Sequence, residues 1–315
     1  MHMNSTFEVK RDRFAFLQKN GIPESTVPTV VAGAAYFEHM GGVASNEYWT
    51  SEKFDNRDEF FVVLNSYFGL VSLIHKLPHN NEWRLKFDVA FLFQVKSTAQ
   101  AAKAINLLTG SHCYADAFAV CRTMISRLNL LILCALNPNL HSEWLKNPGD
   151  KRFLDVHIRE ELIKNGIPTV PHLYKFTSEI IHGKAEGLLS IGYLEKGLFS
   201  EIPAINNQIW VMAKFIVGMT YYVMLTIVLQ DCEGKTIPDE VRSHKELFSW
   251  FSKSYLVYNR WDQLWTFIAE DRHWGKVDGD KTSCGGAFDF EGMRMQIEKH
   301  CKKGAEKKLS KKYDA

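Results

Sequence analysis

No stretch of this chain carries the phosphate-cradling GxxxxGK[ST] loop, a GxGxxG turn after a strand, the GxSxG nucleophile elbow, the HExxH zinc helix or an EF-hand loop. Those absences remove the most readily recognised nucleotide-binding, hydrolase, metalloprotease and calcium-binding classes, and leave other enzymes open. Proline is scarce, nine in 315 residues, and with the twenty glycines it falls between periodic segments, the punctuation of helices joined by short loops. The six cysteines, at 113, 121, 134, 232, 284 and 301, form no CxxC pair. Three of them lie in one apolar helical stretch, which predicts buried free thiols in a reducing compartment. The opening MHMNSTFEVKRDRF lacks an apolar core, so no cleavable signal and a cytoplasmic location are expected.

Charge of one sign is also missing over most of the chain. A net charge of +2 forecasts no global attraction to nucleic acid or anionic membrane. Residues 299 to 315 are the exception. Seven lysines there, Lys299, Lys302, Lys303, Lys307, Lys308, Lys311 and Lys312, stand against Glu306 and Asp314, a local +5 that leaves the remainder at −3. That basic end is the candidate binding site for RNA or an acidic protein partner, or is simply a solvated helix.

What is present is apolar bulk. The hydrophobic share is 46%, with eight Trp, eleven Tyr and twenty-one Phe, enough for a sizeable core. The stretch Ser111 to Leu136 has apolar residues recurring at three and four, with Arg122 and Arg127 among them, and reads as a long, nearly buried helix. Helices are expected at 8–20, 57–77, 82–108, 153–164, 174–189, 238–269 and 290–309, with Asp55 or Asn56 capping the second. Residues 29–49 receive no assignment. The run Ile209 to Leu229 has the length of a membrane span but contains Lys214 and Gly218, and reads as a central helix buried by its neighbours, with no membrane contact. The fold class expected is therefore an all-α, multi-helix bundle around a buried central helix, with one small β-hairpin near 189–202. Its parts are an N-terminal extension at 1–54, a main bundle at 55–270, and a loop and basic helix at 271–315; association into oligomers is open.

Arg122 inside an apolar helix needs acceptors, and Ser178, Glu179 or a carbonyl near His182 could supply them. Two readings stand: a cross-link between helices with His182 capping its own helix, or a ligand or catalytic pocket. Ser178 and His182, four apart, share a helix face, although no acyl-transfer signature accompanies them. Histidine spacing does not fit zinc: His75 and His79 are separated by Pro78, and His2, His112, His141 and His172 have no ligand-like pattern. No metal or cofactor is expected. The aromatic series from Trp250 to Trp274 has helical spacing and few cations, and reads as core more than as a stacking platform for nucleic acid.

The segments AFAVCRTMISRLNLL and NPNLHSEWLK, followed by Tyr174, Ser178, Glu179, His182 and Gly183 in a Yx3SExxHG element, resemble a widespread bacterial family of helical domains of unknown function, over about residues 85–230. The resemblance implies an all-α bundle and brings no established catalytic role. It is distantly similar to the HEPN group, many of which are ribonucleases of toxin and phage-defence systems. The HEPN signature is Arg, four to six residues, then His, in which the imidazole would serve metal-independent acid–base cleavage beside the RNA 2′-hydroxyl. Arg152 with His157 and Arg294 with His300 match that spacing, against about 1.4 matches from composition alone. Arg152 and His157 have the better context, after a Pro-Gly turn, although Phe153 stands where the group often has a polar residue. Two functions follow as expectations: a nucleic-acid-directed effector acting through Arg152 and His157 or through Arg122, Glu179 and His182, and a non-enzymatic scaffold or regulatory module that binds a protein partner.

Overall fold

Carboxylates set two of the principal helix starts. Asp55 Oδ1 accepts from the backbone N–H of Arg57 at 2.8 Å and of Asp58 at 3.1 Å, while Asp58 Oδ2 accepts from the N–H of Asp55 at 3.1 Å, a reciprocal capping box. Asp88 caps the next helix, its Oδ1 taking the N–H of Phe91 at 2.8 Å. This cap places the start at Val89, seven residues beyond the position expected from periodicity. In the computed structural model of the chain the described residues are 13–49, 54–77, 85, 88–137, 139–165, 167, 177–178, 182, 205–232, 237–254 and 299. After a helical stretch at 13–19, they form α1 (Val27–His39), α2 (Asn56–Lys76), α3 (Val89–Gly110), α4 (Tyr114–Leu136), α5 (Asn139–Lys146), α6 (Asp155–Lys164), α7 (Ile205–Asp231) and α8 (Asp239–Ser254). Helix accounts for 83% of the described residues and no strand occurs among them, so the chain is an all-α bundle. The hairpin expected at 189–202 lies outside the described residues.

The helices pack in the spatial order α1, α2, α7, α4, α3. Helix α7 is wedged between α2 and α4, and its most apolar window is fully buried. Both α4 and α7 are long and apolar enough to cross a membrane, and both turn most of that surface inward. Lys214 in the middle of α7 is accommodated by an ion pair with Glu59 of α2, and its Nζ also donates to Asn56 Oδ1 at 3.5 Å. Helix α8 closes one side over α7, α2 and α1, and α6 and α5 lie against α4.

Of the stretch 29–49, which receives no assignment from the sequence, residues 29–39 belong to helix α1, for a reason its small residues conceal. Gly33 faces α2 so closely that a Cβ there would lie 1.8 Å from the carbonyl oxygen of Asn65, and a Cβ on Gly69 of α2 would lie 3.0 Å from that of Thr29. The two backbones touch, which only glycine permits. Asn65 in turn meets the buried Tyr48 hydroxyl at 2.8 and 3.1 Å, and Tyr48 stacks on Phe61 with ring centroids 3.9 Å apart. Of the thiols, Cys121, Cys134 and Cys232 are buried as expected, but Cys113 is exposed, since α4 begins only at Tyr114 and Cys113 sits in the preceding turn. That turn carries His112 at φ 59°, a left-handed conformation without glycine.

Candidate functional site

Arg122 is set on α4 facing α6, and its guanidinium is taken up by the fold. Nε donates to Ser178 Oγ at 3.1 Å, Nη1 to Ser126 Oγ one turn along α4, and Nη2 pairs with Asp155 Oδ2 at 3.0 Å. Asp155 is the first residue of α6 and also faces Arg159, whose Nε lies 4.0 Å from Oδ2. Burial pulls the Arg122 guanidinium below its ordinary value, Asp155 opposes that shift, and Arg159 adds to it. The arrangement joins three pieces of chain, α4, the start of α6 and residues 177–178. Of the acceptors expected, Ser178 is in place, and Asp155 was not anticipated because nothing in a sequence marks a first-turn carboxylate as a partner for an arginine 33 positions earlier. His182 is exposed, with its backbone N–H bound to the Ser178 carbonyl at 2.9 Å. Glu179 lies outside the described residues.

Arg152 and His157 stand at the surface on either side of the α6 start. Arg152 binds Asp150 Oδ2 through Nε at 3.0 Å and Nη2 at 2.8 Å, and Glu143 Oε2 through Nη1 at 2.7 Å, and its guanidinium carbon lies 5.5 Å from the centre of the Phe153 ring. Those two carboxylates raise the Arg152 pKa, and Arg152 in turn holds Asp150 below the usual carboxylate range. His157 Nδ1 lies 3.1 Å from Glu160 Oε2. Both side chains are thus exposed and each faces an acid of its own neighbourhood. Of the basic end, Lys299 is helical and exposed; Lys302, Lys303, Lys307, Lys308, Lys311 and Lys312, with Arg294 and His300, lie outside the described residues.

The buried titratable groups carry no local signature. His244 of α8 is 2% exposed; its Nδ1 meets the Tyr221 hydroxyl of α7 at 2.7 Å, and burial lowers its pKa to about 3. His141 of α5 is buried with Nδ1 3.7 Å from Asp88 Oδ2, and burial lowers its pKa while Asp88 opposes. Burial also pushes the Cys121 and Cys134 thiols up to about 12, so neither is a poised nucleophile. Among the described residues no group of three or more His, Cys, Asp or Glu is placed to hold a metal ion. The other unanticipated feature is apolar and outward: Val89, Phe93 and Leu107 on α3, and Leu145, Leu154, Val156 and Ile163 around α5 and α6, are large hydrophobic side chains left exposed. No protein-family model, curated protein or solved structure matches the chain.

Proposed function

We propose that this chain is a non-enzymatic scaffold or regulatory module that binds a protein partner. The observation that carries this reading is the use of Arg122: Nε, Nη1 and Nη2 each donate to a side chain of the same fold, so the residue at the centre of the resemblance works as a cross-link between helices. Such a group fixes how the helices meet, and its donors are spent within the fold and not on a substrate. Support for partner binding comes from the large apolar side chains left exposed along one face of α3, Val89, Phe93 and Leu107.

A second reading, a metal-independent ribonuclease, is favoured by one observation: Arg152 and His157 are both exposed at the start of one helix, where an RNA backbone could reach them. The two are separated by incubating the purified protein with total RNA, with and without divalent metal, beside Arg152→Ala/His157→Ala and His182→Ala. Intact RNA in every lane is expected. Cleavage by the parent protein that is lost in a folded variant overturns the scaffold reading.

A further inference from the structure

The outer face of α3 is a single stripe. Before the terminal Gly110 its exposed positions, 89, 93, 96, 100, 103 and 107, recur at four and three, opposite the face that packs on α4 and α5. The stripe reads Val, Phe, Lys, Gln, Lys, Leu. Val89, Phe93 and Leu107 are 58%, 59% and 60% exposed. Phe93 and Leu107 stand about 21 Å apart along the axis at 1.5 Å per residue. Gln100 lies on the midline between them, and Lys96 and Lys103 run along one edge of the stripe. Helix α3 contains no Asp or Glu, and among the described residues neither lysine has an ion-pair partner. Arg127 of α4 reaches across to α3, with Nη1 donating to the Ser97 carbonyl at 3.4 Å, and adds a third cation beside it.

We infer that this face docks an acidic amphipathic helix of a protein partner, whose apolar residues cover Phe93 and Leu107 and whose carboxylates meet Lys96 and Lys103; the inference rests on the partner-binding reading above. Charge complementarity selects this occupant. A second copy of the same face would bring cation against cation with no acid to offset them. A membrane surface fits less well, because an interfacial helix keeps its apolar face unbroken, whereas here insertion would carry Gln100 into the acyl boundary with only Val89, Phe93 and Leu107 as large apolar anchors. A helix laid in register, with carboxylates central and apolar anchors toward the ends, satisfies both parts of the stripe.

The test uses two labelled, conformationally constrained helical peptides of about 20 residues, long enough to span the stripe. Each carries Leu near its ends, and the intervening positions on that face are Glu in one and Lys in the other. Fluorescence anisotropy with the full chain is expected to show at least about tenfold tighter binding of the Glu peptide. Phe93→Ala and Leu107→Ala should each weaken that binding about tenfold, and Lys96→Glu/Lys103→Glu should reverse the preference. No binding, equal affinity for both peptides, or an unreversed preference overturns the docking face. So does attachment to vesicles of phosphatidylcholine and phosphatidylserine in equal parts that Phe93→Ala abolishes while neither peptide binds. Failure here with intact RNA in the earlier assay removes this face and leaves the scaffold reading, whereas RNA cleavage removes the scaffold reading whatever the peptides do.

Discussion

His244 should make the stability of this protein fall steeply in mild acid. Its imidazole is enclosed by Tyr221 of α7, by Phe248 and Phe251 of its own helix through Tyr221, and by the backbone of α2, where a Cβ on Gly69 would come within 3.2 Å of Cε1. The folded pKa of about 3 lies below the ordinary 6.5, so the unfolded chain binds the proton first. Stability from this group is fully present above about pH 6.5 and is lost as pH falls toward 3, at about 1.4 kcal/mol per pH unit. Over the whole interval that amounts to an order of 5 kcal/mol, comparable with the total stability of many domains. Urea titrations from pH 7.5 to 4.5 measure it. His244→Gln keeps a neutral polar group beside Tyr221 and should remove about one proton from the slope of unfolding free energy against pH. The difference between parent and variant isolates His244 from other groups that titrate in the same window. Parallel slopes for the two proteins would refute the reasoning, because they would mean that the imidazole is solvated in the folded state.

Asp58 should act with the opposite sign. Burial raises its pKa from 3.8 to about 6, so its charge costs stability above pH 6 and is relieved as pH falls toward 4; Asp58→Asn should stabilise at pH 7 by about 2 to 3 kcal/mol, a gap that closes near pH 4. Lys214→Met alone leaves the Glu59 carboxylate without its cation and should cost about 3 to 5 kcal/mol, while Lys214→Met/Glu59→Met should come close to the parent in a denaturant double-mutant cycle. Arg122→Met leaves Ser178 without its donor and Asp155 with only the longer contact to Arg159, and should lower stability by about 1 to 3 kcal/mol, with Arg122→Lys recovering only part because one ammonium cannot reach all three acceptors; equal stability of parent and Met variant would remove the cross-link assignment. Gly33→Ala should cost about 3 kcal/mol, the upper end of what overpacking costs, since its new methyl meets backbone and not a side chain that can turn aside, and a melting temperature within a degree or two of the parent would show that α1 and α2 are not in backbone contact.

Much of the fold was legible because its information is local. The capping carboxylate Asp55, the three-and-four spacing of α4 and the apolar length of α7 each mark an element from residues a few positions apart, and α7 is buried as its composition implied. Helix α1 was not legible because Pro28, the β-branched run Thr29–Val31 and Gly33 lower helical preference in the sequence, and only the approach of α2 shows why the glycine is there. For the site, Ser178 could be named as an acceptor for Arg122 because both lie in short recognisable segments. Asp155 could not, since the pairing depends on how α6 leans on α4, a tertiary fact without a sequence period. His244 and Tyr221 belong to the same class: two residues 23 apart on separate helices, brought together by the angle at which α8 closes.

The position of α7 has a consequence for the order in which the molecule can be made. The walls on either side of it, α2 and α4, are synthesised first, and more than sixty residues separate the end of α4 at Leu136 from Ile205. Until that segment leaves the ribosome, two long apolar faces have no partner between them. Such a nascent chain can pair α1 with α2 and α3 with α4, as two half-built leaves, but cannot close its core. A truncation ending before residue 205 should therefore be captured by chaperones or aggregate, and the full chain should fold through a late, long-range step set by the arrival of one helix.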